Sequence, residues 1–164
     1  MKQARHNIAF SLERVAQNHP NQTAVTESHT GTSISFQELD DESSRIASGL
    51  NQYGFKKGDR VLLFIPFSIK FISVAFALFK AGAIPVLIDP GLGKKNILRC
   101  AKETEAQGII ATPAVHLVSK FFQKYFRNLK HRVTTNSCWL WQGCTLRDIS
   151  NMAKSTFAYD DTFP

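Results

Sequence analysis

The residues with the clearest chemical potential are a glycine–lysine run, Gly91-Leu92-Gly93-Lys94-Lys95, and the Asp89-Pro90 pair before it. Glycines and lysines opening a helix can hold a phosphate, because free N–H groups and the helix dipole attract anions. The spacing is not that of a G-x-x-x-x-G-K-[ST] phosphate loop. Ile88 stands where the first glycine is required, and Lys95 replaces the hydroxyl residue. A tight turn after a strand is the simpler expectation. Asp89 is expected to fix that turn, although the ends of parallel strands are also where open α/β sheets place ligands. His116 falls on the first turn of a predicted helix with no second ligand at metal spacing, so a structural or simply exposed side chain is expected. Asp40, Asp41 and Glu42 are sequence neighbours that do not share a helical face. They make a poor acid/base pair and predict a solvated helix start. Cys100 lies inside a predicted helix and reads as a buried thiol. No G-x-S-x-G elbow occurs. On the residues alone, no catalytic, cofactor-binding or metal-ligating position is assigned.

The elements that would position these residues follow from periodicity. Asn7 to Asn18 predicts a helix with Ile8, Leu12, Val15 and Ala16 inward. Thr23–Glu27 and Thr32–Ser35 predict a short hairpin around Gly31. Ser35 and Glu38 form a capping box. They open a helix with Phe36, Leu39, Ile46, Ala47 and Leu50 inward, closed by Gly54. Four apolar runs then recur at an even interval, at Val61, Pro85, Ile109 and Val133. Helical segments separate them at 68–81, 95–106 and 114–130. Continuous apolar runs suit strands covered on both faces, and strand–helix alternation implies βαβ units with right-handed crossovers. The expected fold is α/β: a doubly wound, mainly parallel sheet with flanking helices, preceded by an N-terminal helix and short hairpin. Residues 1–164 read as a single partial domain. Residues 1–57 hold the N-terminal helix, hairpin and capped helix, 58–135 the βαβ core, and 136–164 a weakly structured segment. Ser137 to Gln142 suggests one more strand and Thr145 to Met152 a short helix with Leu146 and Ile149 inward. The helix at 69–81 is apolar nearly all round and predicts a sandwiched core position, with Lys80 answering the dipole of its last turn.

The net charge of +7 raises the question of nucleic acid. The densest cations, Lys120, Lys124, Arg127 and His131, fall at helical spacing opposite Leu117, Phe121, Tyr125 and Leu129. That predicts one solvated and one core face rather than a nucleic-acid surface. The cysteines, Cys100, Cys138 and Cys144, are odd in number and include no C-x-x-C pair. Reduced thiols, and hence a cytoplasmic chain, are expected. No signal peptide is visible. Lys70 and Lys80 interrupt the most apolar stretch, so no transmembrane segment is expected.

Two stretches carry a resemblance. Ile34-Ser35-Phe36-Gln37-Glu38-Leu39 resembles the first core motif of the adenylate-forming superfamily of acyl-CoA synthetases, peptide-synthetase adenylation domains and luciferases. Leu78 to Pro90, reading LFKAGAIPVLIDP, resembles its second core motif, and Gly58-Asp59-Arg60-Val61 matches the link between them. The run from Asp89 to Asn96, with Cys100 and Asn7-Ile8-Ala9, is similar to the fatty-acyl ligase branch that includes olefin β-lactone synthetases. The resemblance implies ATP and Mg2+ for a full-length enzyme that activates a fatty acid or β-hydroxy acid as an acyl-adenylate. It implies a Gly/Ser/Thr-rich phosphate loop, and no such run occurs here. An acidic stretch like Tyr159-Asp160-Asp161-Thr162 precedes that loop in the family. The chain is therefore expected to be an N-terminal fragment, inactive alone and binding no cofactor by itself. Ser35, Glu38, Gly82, Pro85, Asp89, Pro90, Gly91 and Gly93 are expected to act structurally, Gly82 by letting helix and strand approach closely. The expected partner is the missing C-terminal portion or a complementing chain, with a fatty acyl substrate as a further candidate. The alternative is a non-enzymatic module of the same fold that binds an acyl chain or a protein.

Overall fold

Helix α1 (Ile8–Asn18) begins at Asn7, whose side chain accepts from the Ala9 N–H at 3.0 Å and donates to the Phe79 carbonyl at 2.8 Å. These bonds set the phase of α1 in the computed structural model of the chain, which describes residues 7–136 and 143–153. Ala9, Leu12 and Ala16 are buried, whereas Ile8, expected inward, is 52% exposed. Ala9, Leu12 and Ala16 recur at i, i+3 and i+7 and share one face, while Ile8 lies about 100° round the helix from Ala9.

Strands β1 (Thr23–Thr26) and β2 (Ser33–Ser35) pair antiparallel, as expected. Their turn places Gly31 at φ +71°, which glycine adopts without a Cβ penalty. Ser35 then caps α2 (Phe36–Tyr53). Its Oγ accepts from the Glu38 N–H at 3.2 Å, and the Glu38 carboxylate accepts from the Ser35 N–H at 2.8 Å. Both orphan donors are thereby satisfied. Gly54 at φ +117° ends the helix.

The main sheet contains β3 (Arg60–Phe64), β4 (Ile84–Val86), β5 (Gly108–Ala111), β6 (His131–Thr134) and β7 (Cys144–Thr145), all parallel. Their order is β4-β3-β5-β6-β7. Helices α3 (Ile69–Lys80), α4 (Lys94–Glu103), α5 (Pro113–Phe121) and α6 (Leu146–Met152) complete the fold. Alternate side chains of each strand serve opposite layers. Val61, Leu63, Ile110 and Val133 join α2, α3 and α6 in one core. Leu62, Ile109 and Ala111 meet Leu98 and Ala101 of α4 and Phe126 on the other face. This is the doubly wound α/β sheet that the alternation predicted. β7 and α6 lie beyond residue 136, with Thr145 and Asp148 forming a second capping box. The strand suggested for Ser137–Gln142, and the stretch Tyr159–Thr162, lie outside the described residues.

Two expectations are corrected. The helix expected over 114–130 stops at Phe121, followed by a 3-10 turn at Gln123–Tyr125. A helix of that length would run about 25 Å, roughly twice the ~13 Å of the four-residue strand it must return along. Its faces also differ. His116 and Ser119 are buried, while Leu117 is 48% and Phe121 79% exposed. His131 belongs to β6, its ring centroid 4.8 Å from that of Phe55. Second, Asp40 and Glu42 are not simply solvated. Glu42 accepts from the Ser73 hydroxyl at 2.9 Å. Lys80 stands in the last turn of α3 as expected, and there it is 1% exposed. Its Nζ donates to the Asp40 carboxylate (2.7 Å) and carbonyl (2.8 Å) and to Ser44 Oγ (2.7 Å). An ammonium can be buried when three acceptors replace its water.

Candidate functional site: the C-terminal edge of the parallel sheet

The chain leaves β3 for β4 on one side, while β5 occupies the other side of β3. In open α/β sheets this switch of direction creates a crevice beyond the strands' C-terminal ends. Here that edge is formed by Ile65–Ser68 after β3, Leu87–Gly93 after β4, Thr112 after β5 and Thr135-Asn136 after β6. The Thr112 N–H donates to the Phe64 carbonyl at 3.2 Å, fixing the two central exits together. Phe67 is 80% and Leu87 60% exposed at this rim, and Phe67 packs on Phe71 with centroids 5.1 Å apart. Lys70 supplies a cation, its Nζ donating to Asn136 Oδ1 at 3.4 Å. The edge thus presents apolar surface, amides and a lysine. Among the described residues no three His, Cys, Asp or Glu side chains are grouped to hold a metal ion.

The Asp89 loop lies on this edge but is closed on itself. Asp89 Oδ1 accepts from the Gly91 N–H at 2.8 Å, and the Leu92 N–H donates to the Asp89 carbonyl at 3.2 Å. Gly93, at φ +76°, then starts α4, with its carbonyl accepting from the Asn96 and Ile97 N–H groups. A carboxylate of the chain already occupies the Gly91 N–H, one of the donors that a phosphate would use at this loop. Asp89 fixes the turn, as the sequence predicted.

The other singled-out residues are not gathered here. Ser35 and Glu38 start α2 beside the hairpin, and the Glu38 carboxyl is held below its usual range by the Ser35 N–H. Pro85 sits in β4, an edge strand, where a missing N–H is tolerated. Gly82 precedes β4, at the sheet's opposite end from Asp89, Pro90, Gly91 and Gly93. Gly82 serves a left-handed turn (φ +72°) beside Lys57. A Cβ there would meet the Lys57 side chain at 3.1 Å, and Gly49 and Gly108 are tighter still. A Cβ at Gly49 would collide with the Ile149 carbonyl, and one at Gly108 with the Phe55 ring.

His116 is fully buried, and its Nε2–H donates to the Val133 carbonyl at 2.9 Å. Burial pushes its pKa down, assisted by Arg132 and Lys120, so the ring is neutral and structural as expected. Cys100 is half-buried on α4. A cleft of about 200 Å³, lined in part by Lys102, Glu105, Lys124, Tyr125 and Arg127, lies at the N-terminal end of β5 and β6.

Sequence reasoning missed the Glu27 carboxylate, which accepts from the Ile69 N–H at 2.8 Å and so caps α3 from the hairpin. It also missed the Lys80–Asp40 pair and the Asn7–Phe79 tie. Each joins residues at least 40 positions apart, and no local pattern announces such a pairing.

Residues 12–148 match the family described as AMP-binding enzyme. Over 149 residues the chain is 34% identical to an olefin beta-lactone synthetase of Xanthomonas campestris pv. campestris, covering 85% of this chain and 27% of that one. It is 30% identical over 150 residues to an olefin beta-lactone synthetase of Stenotrophomonas maltophilia, with the same coverage of 85% and 27%. The chain therefore spans about a quarter of the length of these relatives. Its fold matches the crystal structure of an anthranilate CoA ligase bound to anthranoyl-AMP with a TM-score of 0.84 at 19% identity, covering 98% of this chain and 31% of that one. It also matches a long-chain-fatty-acid-CoA ligase from Archaeoglobus fulgidus with a TM-score of 0.81 at 18% identity, covering 98% and 32%.

Proposed function

The chain belongs to the AMP-binding enzyme family, and from that premise we propose that it is the N-terminal part of an ATP-dependent ligase that activates fatty or β-hydroxy fatty acids as acyl-adenylates. The observation that carries the substrate class is the 34% identity, over 85% of this chain, to an olefin beta-lactone synthetase. The open sheet edge supports the division of labour. Adenylyl transfer depends on cationic and N–H donors preorganised around developing charge. The Asp89 loop spends its donor on its own carboxylate. ATP and magnesium would therefore be held by the remainder of a family-length protein. This part supplies the sheet, with Phe67, Leu87 and Lys70 forming a rim on which that remainder or an acyl chain can pack.

The test is pyrophosphate release from ATP, magnesium and a series of fatty and β-hydroxy fatty acids. It is run on the chain alone and on the chain co-expressed with the portion of a relative that follows the matched region. The pair is expected to turn over and the chain alone is not. Turnover by the chain alone would contradict the reading, as would an assembled pair that remains inert with every acid.

A further inference from the structure

From Ala106 to Arg147 the sequence contains no aspartate or glutamate, so the excess positive charge is concentrated there. Helix α5 stands within this span and carries an apolar stripe on its outer side. Its inner side buries His116 and Ser119. Its outer side carries Ala114, Leu117, Val118 and Phe121, spaced as one helical stripe. Leu117 is 48%, Val118 45% and Phe121 79% exposed. Lys120 on the same helix and Lys124, Arg127 and Lys130 just after it are all exposed. The Lys124 ammonium lies 5.0 Å from the Tyr125 ring centroid. Glu105, on the cleft shared with Lys124 and Arg127, is the carboxylate nearest in sequence.

An apolar helical stripe bordered by cations of one sign is the pattern of a helix that lies in a membrane interface. We propose that α5 and the turn after it dock on an anionic lipid bilayer. Leu117, Val118 and Phe121 enter the headgroup boundary, and Lys120, Lys124 and Arg127 meet lipid phosphates. The charge complementarity selects this occupant. The cationic rim complements a uniformly anionic surface, and nucleic acid gives no reason for exposed aliphatic side chains between the cations. The association is peripheral: among the described residues no helix is long and apolar enough to cross a membrane.

The test is flotation of the whole chain with phosphatidylcholine vesicles, with and without phosphatidylglycerol, at low and high salt. Retention is expected on the anionic vesicles alone and should weaken as salt rises. Leu117→Ser with Phe121→Ser, and separately Lys120→Glu with Lys124→Glu, should each weaken it by about tenfold or more. All four positions are exposed, and unchanged thermal unfolding of the variants verifies that the fold persists. No retention on either vesicle, or retention that neither pair of substitutions alters, overturns the proposal. So does tighter retention by DNA or RNA at the same salt, or self-association that Phe121→Ser abolishes without any vesicle binding. The assay needs no nucleotide, so its outcome is independent of the ligase reading.

Discussion

Lys80 and His116 show how far a residue's setting can depart from its type. Lys80 is buried, with its ammonium pushed below its usual pKa by burial and drawn back by Asp40. The pair joins α2 to α3, where removing one partner would strand a charge. His116 gives a cleaner pH prediction. Its native pKa is depressed below the ordinary 6.5, because the charged ring would be desolvated. Above that value neither native nor unfolded ring is protonated, and the group's contribution does not vary. As pH falls below it, the unfolded chain takes up a proton that the native ring refuses, so stability declines. His116→Gln should flatten this part of the acid limb, read as urea midpoints across the range. Superimposable profiles for the two proteins would show that another group is responsible.

At the scale of elements, the decisive contact is between α2 and α6. Gly49 lies in the middle of α2, where glycine normally weakens a helix by about 1 kcal/mol relative to alanine. Gly49→Ala would on that count be stabilising. The new Cβ, however, meets the Ile149 carbonyl, which is backbone and cannot swing aside. Overpacking costs about 1–3 kcal/mol, and a backbone obstacle belongs at the upper end. The variant should therefore be less stable by about 2 kcal/mol in denaturant unfolding. A gain in stability would mean that α6 moves away freely. The same close approach explains why Leu146 and Ile149 are buried although their helix spans only Leu146–Met152.

At the scale of the whole molecule, the parallel sheet ends, among the described residues, in two edges, β4 and β7. Edges with free N–H and C=O groups invite pairing with other chains. Pro85 removes a donor from β4, and Ile84 beside it is 37% exposed. Pro85→Val should restore the donor and raise β propensity on an apolar edge. Concentration-dependent light scattering should then increase relative to the unsubstituted chain. Equal scattering would place the protection elsewhere, for instance in the short three-residue length of β4.

The sequence by itself determined what local rules govern. The capping box at Ser35 and Glu38, the Gly54 stop, the hairpin and the apolar runs of the sheet follow from spacing within a few residues, where backbone geometry and periodicity act. It also carried the family resemblance, through motifs that are contiguous in the chain. Tertiary structure alone decided which face of α5 is buried, that Lys80 meets Asp40, that Glu27 caps α3, and that α6 approaches α2 closely at Gly49. These depend on pairings across the fold: the apolar stripe of α5 is left outside because the sheet takes the face with His116 and Ser119. The closed Asp89 loop is of both kinds. Its turn was legible in the residues, but the occupancy of its N–H donor was fixed only by the geometry.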